Sequence, residues 1–390
     1  MDGKKQLSLD AAAIKSINEK LVLNLIRDKQ IISSTELVKI TGMRPSTAFN
    51  ITKELTNKGL ISFLGKGGSS DKGGKKPYLW SLNKDAGFCI GMALKREITR
   101  FAVVNFAGEC VAKYAVPATI IGNYSEFLRI AEKQIEIIIK ENNFNPDKLM
   151  GIGVACAGII DSVEKKVILS NILSDMNFSL PEKLHEKFNV PVFIENDANA
   201  VALGAKWIGE GKDQKNFVVV FADYENIFAG FGVGIIIDGK LYHGASFCAG
   251  ELLPRLPQVK ELLTGLKDRL TEGRILRELT TSVNDLSLKF FIEAAKQGDE
   301  VALMLFTKIG NAIGQIIAPA IAILNPERLI IFGEVADLDD IIIKPIRGAI
   351  EMSILSSANK ALQICTSKLK NYAVAIGAAS LVIEDYYCSE

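Results

Sequence analysis

Histidine, tryptophan and long apolar runs are scarce in this chain. Its 390 residues include two histidines and two tryptophans. No segment approaches the roughly 20 uninterrupted apolar residues that a membrane-spanning helix needs, and the N-terminal segment lacks an apolar core of signal-peptide length. The sequence therefore disfavours membrane insertion and export, and we expect a soluble, cytoplasmic protein with no membrane partner.

Cysteine is sparse and unpatterned. No CxxC pair is present, so neither a disulfide framework nor a thiol redox motif is indicated. The six cysteines are Cys89, Cys110, Cys156, Cys248, Cys365 and Cys388. Several lie in apolar runs, and we expect them to be buried, reduced thiols.

Charge is divided unevenly along the chain. A length of 390 residues, 48% of them hydrophobic, predicts two or three globular units. Residues 1–83 carry 14 Lys and Arg against 7 Asp and Glu, a net charge of +7. Because the whole chain has a net charge of +1, the rest of the chain has a net charge of −6. A basic arm on an acidic body indicates contact with nucleic acid, because Lys and Arg replace counterions on phosphates.

The basic arm begins with two predicted helices. Apolar residues recur at helical spacing from Ala12 to about Asp28, which predicts an amphipathic first helix. Its expected core stripe is Ile14, Ile17, Leu21 and Leu25, widened by Val22 and Ile26. Ser33 and Glu36 have the spacing of a capping box, so a short second helix is expected there, with Leu37 and Ile40 inward and Gly42 as its end.

A third helix is expected to begin at Pro45 and to end before Gly59. Two short helices joined by a glycine turn are typical of a helix-turn-helix, whose second helix enters the major groove. The predicted DNA-contacting side chains are Arg44, Ser46, Thr47, Asn50 and Lys53. An ordinary three-helix bundle, with these polar residues facing water, is the alternative.

The segment that follows predicts a wing. Residues 60–64 and 78–82 have the composition of strands, and they bracket a loop rich in glycine and lysine. Lys75 and Lys76 are the predicted phosphate contacts, since glycine permits close approach of the backbone to DNA. A solvated hairpin loop is the alternative. Residues 1–83 are thus predicted as a winged helix-turn-helix DNA-binding domain.

The rest of the chain predicts an α/β body with a repeated order. Three strands, a helix and a strand are expected at 87–94, 99–106, 109–116, 124–142 and 150–155. The same order follows at 217–221, 232–237, 240–243, 301–324 and 328–332. This predicts a first lobe over 84–200, with a C-terminal helix at about 372–390 packing back on it. A second lobe over 201–371 is expected to bind an effector and to oligomerise, with the ligand in the cleft between the lobes.

Four segments, in this order behind a winged helix, resemble the ROK family of repressors and sugar kinases. They are GIGVACAGIID at 151–161, VPVFIENDANA at 190–200, GFGVGIIIDGKLY at 230–242 and AGE at 249–251. The resemblance implies a two-lobed actin-like (ribonuclease-H-like) fold. For members with this N-terminal module it implies sugar-responsive transcription control by homodimers or homotetramers.

The resemblance departs from the family's kinases at the phosphate turn. Ala93 stands where family kinases carry an Asp that helps hold Mg²⁺, and Lys95 stands where they carry a glycine. Glu334 follows Gly333 where they carry paired glycines. Phosphoryl transfer depends on positioning and charge neutralisation, so these changes predict a protein without catalytic residues, cofactor or enzymatic activity.

The family's sugar-binding residues are retained better than its phosphate-binding residues. Asn196 and Asp197 match the family pair that binds sugar hydroxyls, Glu251 matches a further sugar ligand, and Gly158 belongs to the same predicted effector site. An Asn-Asp helix cap, and a loop carboxylate that faces water, are the alternatives for these residues.

A histidine and a zinc loop of the family are missing. Pro254 replaces the histidine, and no cysteine lies between Cys248 and Cys365, so no zinc site is expected. His185 and His243 are expected to be ordinary surface or partly buried histidines. Arg255 is a candidate contact for an acidic or phosphorylated group of the effector.

These observations favour a sequence-specific regulator of carbohydrate metabolism, most simply a repressor, that binds a double-stranded operator and a sugar or sugar-phosphate effector. Two alternatives remain open at this stage. One is a sugar kinase with an accessory DNA-binding arm. The other is an effector-independent DNA binder whose sugar pocket has decayed.

Overall fold

The structure is a computed structural model that describes residues 11–68, 76–95, 98–117, 124–170, 173, 179–223, 230–252, 256, 261–262 and 288–388. The predicted wing residue Lys75 lies outside the described residues, as do Pro254 and Arg255.

The N-terminal region is a small helical unit with a three-stranded antiparallel sheet of order β1-β3-β2. Its elements are α1 (Ala11–Lys29), β1 (Ile31–Ser33), α2 (Ser34–Thr41), α3 (Pro45–Asn57), β2 (Ile61–Lys66) and β3 (Tyr78–Leu82). The capping box forms as expected, since Ser33 Oγ accepts from the Glu36 amide at 3.2 Å and the Glu36 carboxylate accepts from the Ser33 amide at 3.0 Å. Gly42 ends α2 in the left-handed conformation, with φ of 67°.

The core of this unit uses only part of the apolar stripe predicted for α1. Val22 and Ile26 are fully buried, as is Leu37 of α2. In contrast, the predicted core residues Ile14, Ile17, Leu21 and Ile40 are 47%, 50%, 42% and 49% exposed. The early turns of α1 are held to α3 by ion pairs instead, so tertiary packing buries only part of the predicted stripe.

The first lobe is built on a five-stranded sheet of order β10-β7-β4-β5-β6, in which β4, β7 and β10 are parallel and β4, β5 and β6 antiparallel. Its elements are β4 (Phe88–Leu94), β5 (Ile98–Asn105), β6 (Cys110–Pro117), α4 (Tyr124–Glu141), β7 (Leu149–Cys156), β8 (Ile159–Asp161), β9 (Lys166–Leu169), α5 (Leu180–Phe188) and β10 (Val192–Asn196).

The second lobe repeats this topology in a sheet of order β13-β12-β11-β14-β15. Its elements are α6 (Asp197–Trp207), β11 (Phe217–Asp223), β12 (Gly230–Ile237), β13 (Lys240–Leu241), α7 (Leu288–Lys296), α8 (Glu300–Leu324), β14 (Arg328–Gly333), α9 (Asp340–Glu351), α10 (Ser356–Ala361) and β15 (Gln363–Thr366). A C-terminal helix, α11 (Ala373–Cys388), follows. The repeated order expected from the sequence is confirmed by these two sheets.

Helix α11 packs on β4, β7 and α6, and its close approach requires glycine on the strands. A Cβ on Gly91 would lie 1.9 Å from the carbonyl oxygen of Ala375, and one on Gly153 would lie 1.8 Å from that of Ala378. Helix α11 lies against the first sheet, α6 lies against β11 and β12 of the second sheet, and the two helices pack on each other as a buried layer between the sheets.

Helix α8 is long and apolar enough to cross a membrane by length and composition, with 56% of its most apolar stretch buried. It packs along α9 in the second lobe. A core helix of a folded protein has these same properties.

Candidate functional site

A cavity of about 400 Å³ contains the four residues predicted to bind an effector. Asn196 and Asp197 enter it from the junction of β10 and α6, Gly158 from the turn after β7, and Glu251 from the loop after β13. The remaining lining residues are Ala157, Ile159, Leu169, Ser170, Phe221, Gly230, Phe231 and Gly232. This volume lies in the range of 300–1,000 Å³ that is usual for small-molecule sites.

Asn196 combines the cavity wall with a helix cap. Its Oδ1 accepts from the amides of Ala198 at 2.8 Å and Asn199 at 3.1 Å, and its Nδ2 donates to the Gly158 carbonyl at 2.8 Å. The cap fixes Asn196 at the N-terminus of α6, whose dipole favours polar and acidic groups. Asp197, the next residue, accepts from the Ala198 amide at 2.9 Å.

Glycines bring backbone close to the cavity. Gly158 has φ of 138°, and a Cβ there would lie 2.2 Å from the Leu169 carbonyl oxygen. Gly250, the residue before Glu251, has φ of 89°, and a Cβ there would lie 1.9 Å from the Val233 carbonyl oxygen. These contacts hold the two loops against the cavity. Partial burial at the wall raises the pKa of the Glu251 carboxyl.

A buried carboxylate that sequence analysis missed lies beside Asn196. Glu195 is 1% exposed and its Oε2 lies 2.7 Å from Nε2 of the partly buried His243. Its Oε1 accepts from the Asn196 amide at 2.8 Å and from Nδ2 of Asn199 at 3.1 Å. The hydrogen bond with Glu195 raises the pKa of His243 above 6.5, against the opposing effect of burial. An acidic residue inside the apolar strand Val192–Asn196 was the available signal.

A second, smaller cavity lies beside Lys95, in the segment that resembles the phosphate turn of the family's kinases. A space of about 20 Å³, no more than a single water would occupy, remains among Lys95, Arg100, Phe221 and Glu334. Phe221 borders both this space and the effector cavity. The ammonium of Lys95 lies 5.6 Å from the centre of the Phe221 ring.

The predicted DNA-contacting side chains share one exposed surface of α3. Ser46, Asn50 and Lys53 are exposed at helical spacing, Thr47 is partly buried, and Arg44 is exposed at the N-cap. Phe49, which sequence analysis passed over, is 49% exposed on the same face. Lys76 is exposed two residues before β3. We call Arg44, Ser46, Phe49, Asn50 and Lys53 the α3 surface.

The N-terminal unit docks on the body through the end of α1. The Arg27 guanidinium lies 4.2 Å from the centre of the Trp207 ring and 5.0 Å from that of Tyr387. Asn24 Nδ2 donates to the Tyr387 carbonyl at 3.2 Å. Trp207 Nε1 in turn donates to Glu384 at 2.6 Å, which ties α6 to α11. We call Asn24, Arg27, Trp207 and Tyr387 the docking contact.

The described residues contain no cluster of three or more His, Cys, Asp or Glu that could hold a metal ion. The predicted absence of zinc concerns the loop after Glu251, most of which lies outside those residues, and it stays a prediction.

The fold defines a class: an N-terminal helical module with a small sheet, joined to a body whose two mixed-sheet lobes are like those of sugar kinases. The ROK family model matches residues 89–253 and 264–385. A xylose repressor from Caldicellulosiruptor bescii is 31% identical over 392 residues, which cover 95% of this chain and 96% of the repressor.

Two crystal structures share the fold. A ROK family transcriptional regulator, a homologue of the Escherichia coli MLC protein, superposes with a TM-score of 0.77 at 22% identity and covers 96% of this chain and 97% of its own. A ROK family glucokinase from Streptomyces griseus, in complex with glucose and AMPPNP, superposes with a TM-score of 0.63 at 23% identity, over 76% of this chain and 99% of its own. The chain belongs to the ROK family, in its branch of transcriptional repressors of sugar metabolism.

Proposed function

We propose that this repressor senses a neutral monosaccharide in the cavity between its lobes and transmits binding to the α3 surface through α6. The carrying observation is that one helix, α6, begins at Asn196 and Asp197 and ends at Trp207 in the docking contact. Its ends are about 15 Å apart at 1.5 Å per residue.

The cavity supports a polyhydroxylated ligand. Asp197 and Glu251 offer carboxylate acceptors, and Asn196 adds an amide, so vicinal hydroxyls find complementary partners. Phe221 and Phe231 supply an apolar wall for the face of a sugar ring. A volume of about 400 Å³ also favours a working pocket over the decayed one. We propose D-xylose as the first ligand to test, since the 31% identical relative is a xylose repressor.

The α3 surface supports major-groove recognition. Arg44 is placed at the N-terminus of α3, where free backbone amides and the helix dipole also favour a phosphate. Asn50 suits an adenine edge and the Phe49 ring a thymine methyl, while Lys53 and Lys76 suit phosphates. We propose residues 1–83 as the DNA-binding unit, 84–200 with α11 and 201–371 as the two lobes, and a homodimer or homotetramer as the active form.

The residues at the positions of the family's nucleotide site support a regulator without kinase activity. ATP phosphates need both space and a metal anchor, and Ala93, Lys95 and Glu334 offer neither in the sequence positions where family kinases carry them. The space of about 20 Å³ beside Lys95 is consistent with this proposal.

The function is tested in two stages. Binding-site selection from random duplexes identifies the operator, and fluorescence anisotropy then measures the operator Kd with and without D-xylose and D-glucose. A sugar that changes the operator Kd supports the proposal. If no sugar changes it, or a coupled assay finds sugar phosphorylation at rates usual for kinases, the proposal is wrong.

A further inference from the structure

The Glu195 and His243 pair joins the two segments that carry the effector site. Glu195 ends strand β10 of the first sheet, directly before Asn196 and Asp197. His243 follows β13 of the second sheet, 48 residues later, and starts the loop that leads to Glu251. The bond of 2.7 Å between them therefore bridges the lobes at the edge of the cavity.

Both ends of this bridge are rigid. On one side, Glu195 Oε1 accepts from the Asn196 amide and from Asn199, so the carboxylate is fixed to the first turn of α6. On the other side, the Ala249 amide donates to the His243 carbonyl at 3.1 Å, which closes the loop on itself. Gly250 then locks the loop against Val233. A shift of His243 would consequently move Glu251 relative to Asn196.

Among the described residues, Glu195 is the charged group that acts on His243. Ser162 Oγ lies 3.4 Å from the same His243 nitrogen, and the Phe247 ring packs on the imidazole with centres 5.8 Å apart. Cys156 is also near Glu195 and Asp197. Burial, and to a smaller extent these two carboxylates, raises the pKa of its thiol, so the thiol is neutral and adds no charge next to the pair. A buried pair of this kind often adds little net stability, whereas loss of one partner is costly.

We propose that Glu195 and His243 form a positioning pair, which holds Asn196 and Glu251 at the separation that the sugar requires. This inference rests on the proposed function, because it concerns the affinity of the same cavity. Neither residue lines the cavity, so their effect on the sugar passes through Asn196 and Glu251.

The pair predicts how sugar affinity depends on pH. The pKa of His243 is raised, so the charged pair is complete below pH 6.5 and is lost as the pH rises through the raised value. Neutral imidazole can still donate one hydrogen bond to Glu195. Affinity should therefore decline with rising pH, though less than when the imidazole is removed.

The experiment uses the full-length protein and D-xylose in isothermal titration from about pH 5.5 to pH 8.5, a range centred on histidine titration. His243→Ala should weaken binding about tenfold, since the separation of Asn196 and Glu251 is then no longer fixed by a hydrogen bond of ordinary strength. His243→Gln keeps an uncharged donor, so it should bind more tightly than His243→Ala and show a flat pH profile. His185→Gln, at the other histidine of the chain, is the matched control and should behave as wild type.

A second measurement needs no sugar. With two histidines, selective ¹³C labelling gives two imidazole signals, which the His185→Gln variant assigns. The His243 signal should titrate above pH 6.5 in wild type and at lower pH in Glu195→Gln. Wild-type affinity in His243→Ala, or an unchanged pH profile in His243→Gln, would overturn the inference alone. Failure of wild type to bind any sugar would instead refute the proposed function, and the inference with it.

Discussion

Replacing Arg27 with alanine tests whether the docking contact carries the effector signal. The Arg27 guanidinium lies over the neighbouring rings of Trp207 and Tyr387, and its side chain is 18% exposed. A partly desolvated cation over an indole contributes about 1–2 kcal/mol, which corresponds to roughly a tenfold change in a docking equilibrium. Arg27 faces Trp207 of α6 and Tyr387 of α11 and is not part of the α3 surface.

The expected result is a loss of coupling rather than of binding. In Arg27→Ala the operator Kd without sugar should stay near that of wild type, and D-xylose affinity should also be kept. The ratio of operator Kd values with and without saturating sugar should fall by up to about tenfold, because that ratio measures the coupling free energy between the sites.

Two variants control for charge and for surface effects. Arg27→Lys keeps the charge but loses the planar stacking of guanidinium on the rings, so it should show an intermediate ratio. Arg129→Ala removes an exposed arginine of α4 whose pair with Glu126 spans 2.6 Å, and exposed pairs contribute little. An unchanged ratio in folded Arg27→Ala would refute transmission through the docking contact.

Three further predictions concern the effector, the DNA and the fold. Asp197→Ala should weaken sugar binding by about 1–3 kcal/mol in calorimetry and spare sugar-free operator binding; an unaltered sugar response would remove Asp197 from the site. Lys76→Ala should lower the slope of log K against log salt by about one, measured by anisotropy, and an unchanged slope would exclude a phosphate contact. Gly153→Ala should cost about 1–3 kcal/mol or more in chemical unfolding, because its Cβ meets the Ala378 carbonyl. Gly348→Ala, with nothing within 4 Å, should be neutral or stabilising, and equal effects would refute the packing argument.

Local signals carried the successful predictions in the N-terminal unit. The capping box of Ser33 and Glu36 and the glycine at position 42 act within one turn of the chain, so sequence alone locates α2. The orientation of α1 depends on partners far along the chain. Lys15 pairs with Glu54, and Arg27 contacts Tyr387. The spacing of apolar residues in α1 does not indicate either contact.

Local and long-range signals also differ among the residues of the proposed effector site. Asn196, Asp197, Glu251 and Gly158 were predicted from segments that resemble the family, and the structure places all four at one cavity. The pairing of Glu195 with His243 arises only when two sheets meet, so neither spacing nor periodicity indicates it. A charged residue within an apolar strand is the one local hint, since such a residue needs a partner when buried.

The described part of the cleft holds two cavities of unequal size, and this inequality supports the proposal that the body is a sensor. Phe221 stands at the boundary, with about 400 Å³ on the side of Asn196 and about 20 Å³ on the side of Lys95. The larger part lies in the usual volume range of small-molecule sites, and the smaller part, as lined by the described residues, is about the size of one water. We expect the free energy of sugar binding to shift the two lobes relative to each other, since no second substrate has to be aligned. Helix α6 connects the cavity at Asn196 to the N-terminal unit docked at Trp207. Loss of the nucleotide side and retention of the sugar side therefore favour the same function, control of DNA binding by a ligand that is not consumed.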